Sequence, residues 1–103
     1  MNYLYRHTTL FGISELCEVL NYQVVKKHFV PILQQMSKDA IPNIRMNVAK
    51  TISRIREHWQ KQGQTSQVEP QTEQELQLII NDLMQDEDDD VKFFARKAYN
   101  AQF

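Results

Sequence analysis

Glycine and proline are scarce, with two and three among 103 residues. With so few breakers and apolar residues recurring at spacings of three and four, the chain reads as all-helical. Cysteine occurs once, at Cys17. No intrachain disulfide can form, no cysteine set is present to bind a metal, and a reducing compartment fits best. No apolar run approaches the ~20 residues of a membrane span. The opening MNYLYRHTTLFGISEL lacks the basic region and clean apolar run of a signal peptide. Neither sign of charge is in excess: the formal net charge is -1, which argues against the strongly basic face of a nucleic-acid binder. There is no Gly-rich phosphate loop. Ser14, Ser37 and Ser53 have no Gly-rich elbow and no suitable His/Asp partner. The expectation is a soluble intracellular protein, cytoplasmic and also nuclear, with no enzymatic chemistry, no cofactor, no nucleic acid and no membrane.

What is present is enough for a core. The apolar fraction is 42%, although a chain this short has a high surface-to-volume ratio and is marginal alone. Five helices are expected. The first spans 3–20 on a stripe of Leu10, Ile13, Leu16, Cys17 and Leu20, with Asn21 to end it. The second spans 23–38 on Val25, Phe29, Ile32, Leu33 and Met36. Pro31 lies inside it and predicts a kink or a restart. The third spans 43–59 on Ile44, Val48, Ile52, Ile55 and Trp59, with Pro42 supplying a fixed φ and Asn43 a cap. Residues 60–74 are rich in Gln, hold Gly63 and Pro70, and read as a flexible linker. Thr72 and Glu75 form the pattern of a capping box for a fourth helix over 73–85, which buries Leu76, Ile79, Ile80 and Leu83. The fifth runs from Asp89 to the end on Val91, Ala95, Ala98 and Tyr99. Tyr22, Phe93 and Phe94 are expected at the surface in part.

The chain repeats itself. A shift of 47 lays Ile32 on Ile79, Leu33 on Ile80, Met36 on Leu83, Asp39 on Asp86, Ile44 on Val91, Arg45 on Lys92 and Val48 on Ala95. A shift of 39 lays Tyr5-Arg6 on Ile44-Arg45 and Ile13 on Ile52. The unit is a helix, a turn opening with Asp, and a second helix that starts with an apolar residue and a cation. Periods of this size belong to HEAT and armadillo arrays. The cation can reach the Asp of its own or the neighbouring turn and tie stacked turns together. The expected architecture is an α-solenoid of HEAT repeats. Its parts are the second helix of one repeat (1–21), a whole repeat (22–60), a linker (61–72) and a C-terminal repeat (73–103). Since a lone repeat cannot bury its apolar face, a chain starting inside a repeat is expected to be a piece of a longer protein. An exposed apolar flank on the first helix, through which it could self-associate, is expected as well.

Metal readings fail on detail. Asp86, Asp88 and Asp90 alternate as at the start of an EF-hand, but the sixth and twelfth positions are Val91 and Lys97 where Gly and Glu are required. An acidic turn at a helix N-terminus, favoured by the dipole, accounts for them. His7, His28 and His58 lack ligand spacing. None is followed by Glu, which weighs against a HEAT-type iron hydroxylase. Cys17 sits on the buried stripe as a small core residue.

The segments NYLYRHTTLFGISELCEVL, KKHFVPILQQMSKDAIPNIRMNVAKTI and LMQDEDDDVKFFARKAY together resemble the last part of the scaffolding A subunits of protein phosphatase 2A. That family is a solenoid of HEAT repeats. The resemblance covers nearly the whole chain apart from the Gln-rich segment, which is several residues longer than the family's. It implies a non-catalytic scaffold that holds a Ser/Thr phosphatase catalytic subunit on the turns inside its C-terminal repeats, with regulatory B subunits on repeats outside this chain. It also implies partner contacts at Tyr3 and Arg6 in one turn, at Ile41, Pro42 and Asn43 in the next, and at Asp88 in the last. Ile41 attracts attention because an aliphatic tip on a polar turn is expected to have no core to enter. The alternative is a HEAT adaptor of a different assembly, in transport or chromosome structure.

Overall fold

The computed structural model describes residues 2–63 and 68–100. Five helical rods and no strand occur among the described residues. Helix α1 spans Tyr3–Leu16 and is capped by Asn2, whose Oδ1 accepts the Tyr5 N–H at 3.0 Å. It ends four residues earlier than its pattern suggests. Asn21 starts the next helix rather than ending this one: it is extended, and its Oδ1 accepts the Val24 N–H at 3.0 Å. An Asn oxygen is better used on the orphan donors of a helix start.

Helix α2 is one rod in three parts: an α turn Tyr22–Val24, a π segment Val25–Phe29 and an α segment Val30–Met36. The π segment resolves the Pro31 problem. Proline offers no N–H and its ring crowds the preceding turn. The rod widens just before it, with the Val30 N–H on the Val25 oxygen, and Pro31 then sits in the first turn of a fresh α segment, where its lost N–H costs nothing. The extra residue shifts the buried face. Val25 and Val30, five apart, are both buried, while Phe29, expected in the core, is half-buried.

Helix α3 spans Pro42–Lys61. Its cap is Ile41, held extended (φ -94°, ψ 119°) as residues before proline prefer, and not Asn43, which falls in the first turn. All five stripe residues expected of α3 are buried. Helix α3 continues two residues past Trp59, and Gly63 follows at φ 66°, a left-handed conformation that only Gly adopts without strain. Helix α4 spans Pro70–Met84, so the linker is shorter at both ends than 60–74; its middle, 64–67, lies outside the described residues. The capping box does not form. Glu69 is the cap position and Thr72 is buried, because the Thr72 hydroxyl is taken by Tyr22, whose O–H donates to Oγ1 at 2.8 Å. Helix α5 spans Asp89–Asn100.

Helices α1, α3 and α5 lie side by side in one layer, and α2 and α4 form a second layer against them. This is the arrangement of stacked helical hairpins, the HEAT-like solenoid expected. The core between the layers is aliphatic, with Trp59 at 0% exposure and Tyr22 edge-on to it at 5.2 Å between ring centroids. Three expectations about the core are corrected. Tyr22 is buried (4% exposed), since Thr72 and Glu69 satisfy its hydroxyl; Leu16 (47%) and Tyr99 (39%) face outward at the ends of their helices. The expected apolar flank is present: Leu4, Tyr5, Phe11 and Val19 on and after α1 are all exposed.

Candidate partner-docking ridge

The turns joining the two helices of each hairpin fall along one edge of the molecule, and two aspartates shape them in the same way. Asp39 Oδ1 accepts the Ile41 N–H at 2.9 Å, and Asp86 Oδ1 accepts the Asp88 N–H at 2.9 Å. Each Asp thus closes a local turn two residues ahead. Their remaining acceptor capacity is met by the cation that opens the preceding second helix. Arg6 of α1 forms an ion pair with Asp39, its Nη2 donating at 3.3 Å. Arg45 of α3 grips Asp86 by Nε at 2.7 Å and Nη2 at 3.0 Å. Arg45 Nη1 also donates to the Asp39 carbonyl at 2.8 Å, so one guanidinium spans two turns. Lys92, the third cation of the series, pairs with Asp89 on its own helix at 3.4 Å. The hydrogen bond to Arg45 holds the Asp86 carboxyl below the usual carboxylate range.

The ladder sets the spacing of the exposed tips. Asn43 Nδ2 donates to the Tyr3 hydroxyl at 2.6 Å, joining the start of α3 to the start of α1. Pro42, Asn43 and Asp88 then border one shallow groove of about 270 Å³, with Met46 and Asp90 completing it. Of the six positions singled out in the sequence, Tyr3, Pro42, Asn43 and Asp88 therefore form one continuous edge. Arg6 lies behind it in the ladder. Asp88 also has a structural task, its Oδ1 accepting the Asp90 and Val91 N–H groups at 2.9 and 3.0 Å as the cap of α5.

Ile41 differs from expectation. It is half-buried and packs against the core. The Asp39 bond to its N–H and its extended backbone turn the chain inward before α3 begins, so the side chain has a core to enter after all. Met46 and Asp90 carry no signal of their own in the sequence. They lie one helical turn past Pro42 and at the start of α5, and only the stacking of neighbouring hairpins brings them to the same groove. Among the described residues there is no cluster of three or more His, Cys, Asp or Glu able to hold a metal, and no helix long and apolar enough to cross a membrane.

Over 97 residues, 94% of this chain, the sequence is 32% identical to the regulatory A subunit of protein phosphatase PP2A from Saccharomyces cerevisiae. The regulatory A subunit of PP2A from Schizosaccharomyces pombe is 57% identical over 49 residues, 48% of this chain. The chain is a homologue of the PP2A regulatory A subunits. It spans 15% and 8% of the length of these two relatives. No protein-family profile matches it. The resemblance seen in the sequence segments thus has a counterpart in two curated A subunits, one alignment extending over both hairpins and the turns between them.

Proposed function

We propose that this chain is a non-catalytic scaffold segment that docks the catalytic subunit of a Ser/Thr protein phosphatase along its ridge of turns. Homology to subunits named as regulatory in PP2A supports a scaffold role. The observation that supports the choice of surface is the Arg6–Asp39 and Arg45–Asp86 ladder, which ties the start of α1 to the Asp39 turn and the start of α3 to the Asp86 turn. In this reading 1–21 is the second helix of one repeat, 22–60 and 73–103 are whole repeats, and 61–72 links them. Tyr3, Pro42, Asn43 and Asp88 supply the contact edge, Ile41 the margin of a half-buried side chain, and Arg6 the support that holds the first tip. Regulatory B subunits bind repeats outside this chain, and the assembly works in the cytoplasm and nucleus. Each turn contributes few contacts. Affinity is summed over several repeats, and this segment alone binds weakly.

The test is calorimetric titration of a PP2A catalytic subunit with the full chain and with Pro42→Glu. An acidic residue at the first position of α3 suits the helix dipole and leaves the fold intact, while it changes the shape and charge of the tip. The expected result is binding by the parent and at least tenfold weaker binding by the variant, a loss of ~1.4 kcal/mol or more. Equal binding by the two would remove the ridge from the interface and favour an adaptor of another assembly.

A further inference from the structure

The face of the α1–α3–α5 layer that points away from α2 and α4 carries two adjoining grooves that the ridge does not use. One, of about 300 Å³ between α1 and α3, is bordered by His7, Phe11, Asn47, Lys50 and Arg54. The other, of about 340 Å³ between α3 and α5, is bordered by Lys50, Ser53, Arg54, Glu57, Phe94 and Lys97. Lys50 and Arg54, one turn apart on α3, form the crest between them.

The charges are unbalanced at the middle of this face. Lys50 Nζ lies 4.5 Å from the centroid of the Phe94 ring, and Lys97 Nζ lies 5.7 Å from the same centroid and 5.4 Å from that of Phe93. Two ammonium groups therefore converge on one aromatic ring. None of the ion pairs among the described residues uses either of them, whereas Arg54 is already engaged by Glu18 at 2.8 Å. The ring face offsets part of the like-charge repulsion, and an anion between the two ammoniums would offset the rest. Beside them the Phe11 ring is 65% exposed over the first groove, an apolar surface without an internal partner.

We infer that this face binds an acidic peptide segment carrying apolar residues, with its carboxylates at Lys50 and Lys97 and an apolar side chain over Phe11. The observation behind it is the juxtaposition of two unneutralised lysines over the half-buried Phe94 ring with the exposed Phe11 ring across the adjoining groove. A nucleic acid would also meet cations and rings. It fits less well, because Glu57 lines the same groove, Arg54 is already paired with Glu18 and the whole chain is net negative. The site lies on a different face from the ridge and stands independently of the phosphatase reading.

The experiment is fluorescence anisotropy with the full chain and three dye-labelled probes: a dodecamer alternating Glu and Leu, a dodecamer of Glu alone, and a twelve-nucleotide single-stranded DNA of mixed sequence. The expected result is saturable binding of the Glu-Leu peptide at physiological salt, weaker binding of the all-Glu peptide, and at least tenfold loss for the Lys50→Glu/Lys97→Glu variant. Both lysines are surface residues, and a helical circular dichroism spectrum matching the parent's confirms that the variant is folded. Phe11→Ser should weaken the Glu-Leu peptide and leave the all-Glu peptide unchanged. No saturable peptide binding, binding insensitive to the lysine reversal, or tighter binding of the DNA than of either peptide would each overturn the assignment.

Discussion

Arg45 and Asp86 are 41 residues apart in sequence and make a two-pronged ion pair, Nε to Oδ2 at 2.7 Å and Nη2 to Oδ1 at 3.0 Å, while Nη1 of the same guanidinium holds the Asp39 carbonyl. One side chain on the second helix of a hairpin thereby links its own turn to the next. Such a contact is mostly shielded from water, the two side chains retaining 18% and 11% of their exposure. It is worth more than an open surface pair.

Arg45→Ala and Asp86→Ala should each cost ~1–3 kcal/mol in urea unfolding, and the double variant should cost less than their sum, since either change alone already breaks the pair. Lys92→Ala, at the third position of the same series but paired with a fully exposed Asp89, should change stability by less than ~0.5 kcal/mol. Strict additivity of the two single variants would mean that the ladder does not couple the turns.

The pair also predicts a pH dependence. The Arg45 hydrogen bond depresses the Asp86 pKa in the fold below its ordinary value of 3.8. The stabilisation is complete above 3.8 and is lost as the pH falls through the lower folded value. The gap between parent and Asp86→Asn should therefore be full at neutral pH and close on the acid side of 3.8. Glu73 works in the opposite sense. Burial, only partly countered by Arg56, raises its pKa, so its cost is full above the folded value and vanishes as the pH falls below the unfolded one. A parent-variant gap that persists unchanged into acid would contradict the Asp86 account.

Arg56 is fully buried and spans three helices, donating to Glu73 Oε1 at 2.5 Å, Gln77 Oε1 at 3.2 Å and the Ala98 carbonyl at 2.8 Å. Burial lowers its pKa despite the nearby carboxylate. Arg56→Ala should cost ~3–5 kcal/mol, because it leaves Glu73 without its cation and opens a cavity. Arg56→Met with Glu73→Gln, which refills the space and removes the buried charge, should recover much of that loss. Thermal unfolding of the three proteins distinguishes a charge effect from a packing effect.

Tyr22 ties the start of α2 to the start of α4 through its hydroxyl, which donates to Thr72 Oγ1 and accepts the Glu69 N–H, both at 2.8 Å. Tyr22→Phe keeps the ring on Trp59 and removes both bonds, so ~1–3 kcal/mol of stability should go. Amide exchange should show the loss first at Glu69 and the opening turn of α4.

A glycine at positive φ gives the last stability test. Gly63 has φ 66° and open space around it. Gly63→Ala should cost ~1 kcal/mol through backbone strain alone; an unchanged melting temperature would show that the end of α3 relaxes.

What the sequence determined by itself follows from local periodicity and from internal likeness. The stripes Ile44-Val48-Ile52-Ile55-Trp59 and Leu76-Ile79-Ile80-Leu83 were legible because each helix must turn one apolar face to a core, and the structure buries every one of these residues. The alignment of Asp39 with Asp86 was legible because repeated turns need the same chemistry, and Arg6 and Arg45 did reach the neighbouring turn, whereas Lys92, aligned with Arg45, pairs within its own helix. Tertiary structure decided the rest. Asn21, Thr72 and Tyr22 each had a plausible local use, as a stop, a cap and a surface ring, but contacts 50 residues apart in sequence outbid the local ones for Tyr22 and Thr72. Ile41 looked like an exposed tip until the Asp39 turn directed it inward. Pro31 forecast a break, but only the completed helix showed the break absorbed as a π turn that exchanged Phe29 for Val30 in the core. Periodicity specifies which face of a helix is buried; it cannot specify which polar group on another helix arrives to claim a hydroxyl or a carboxylate, and those pairings fix the line of the ridge.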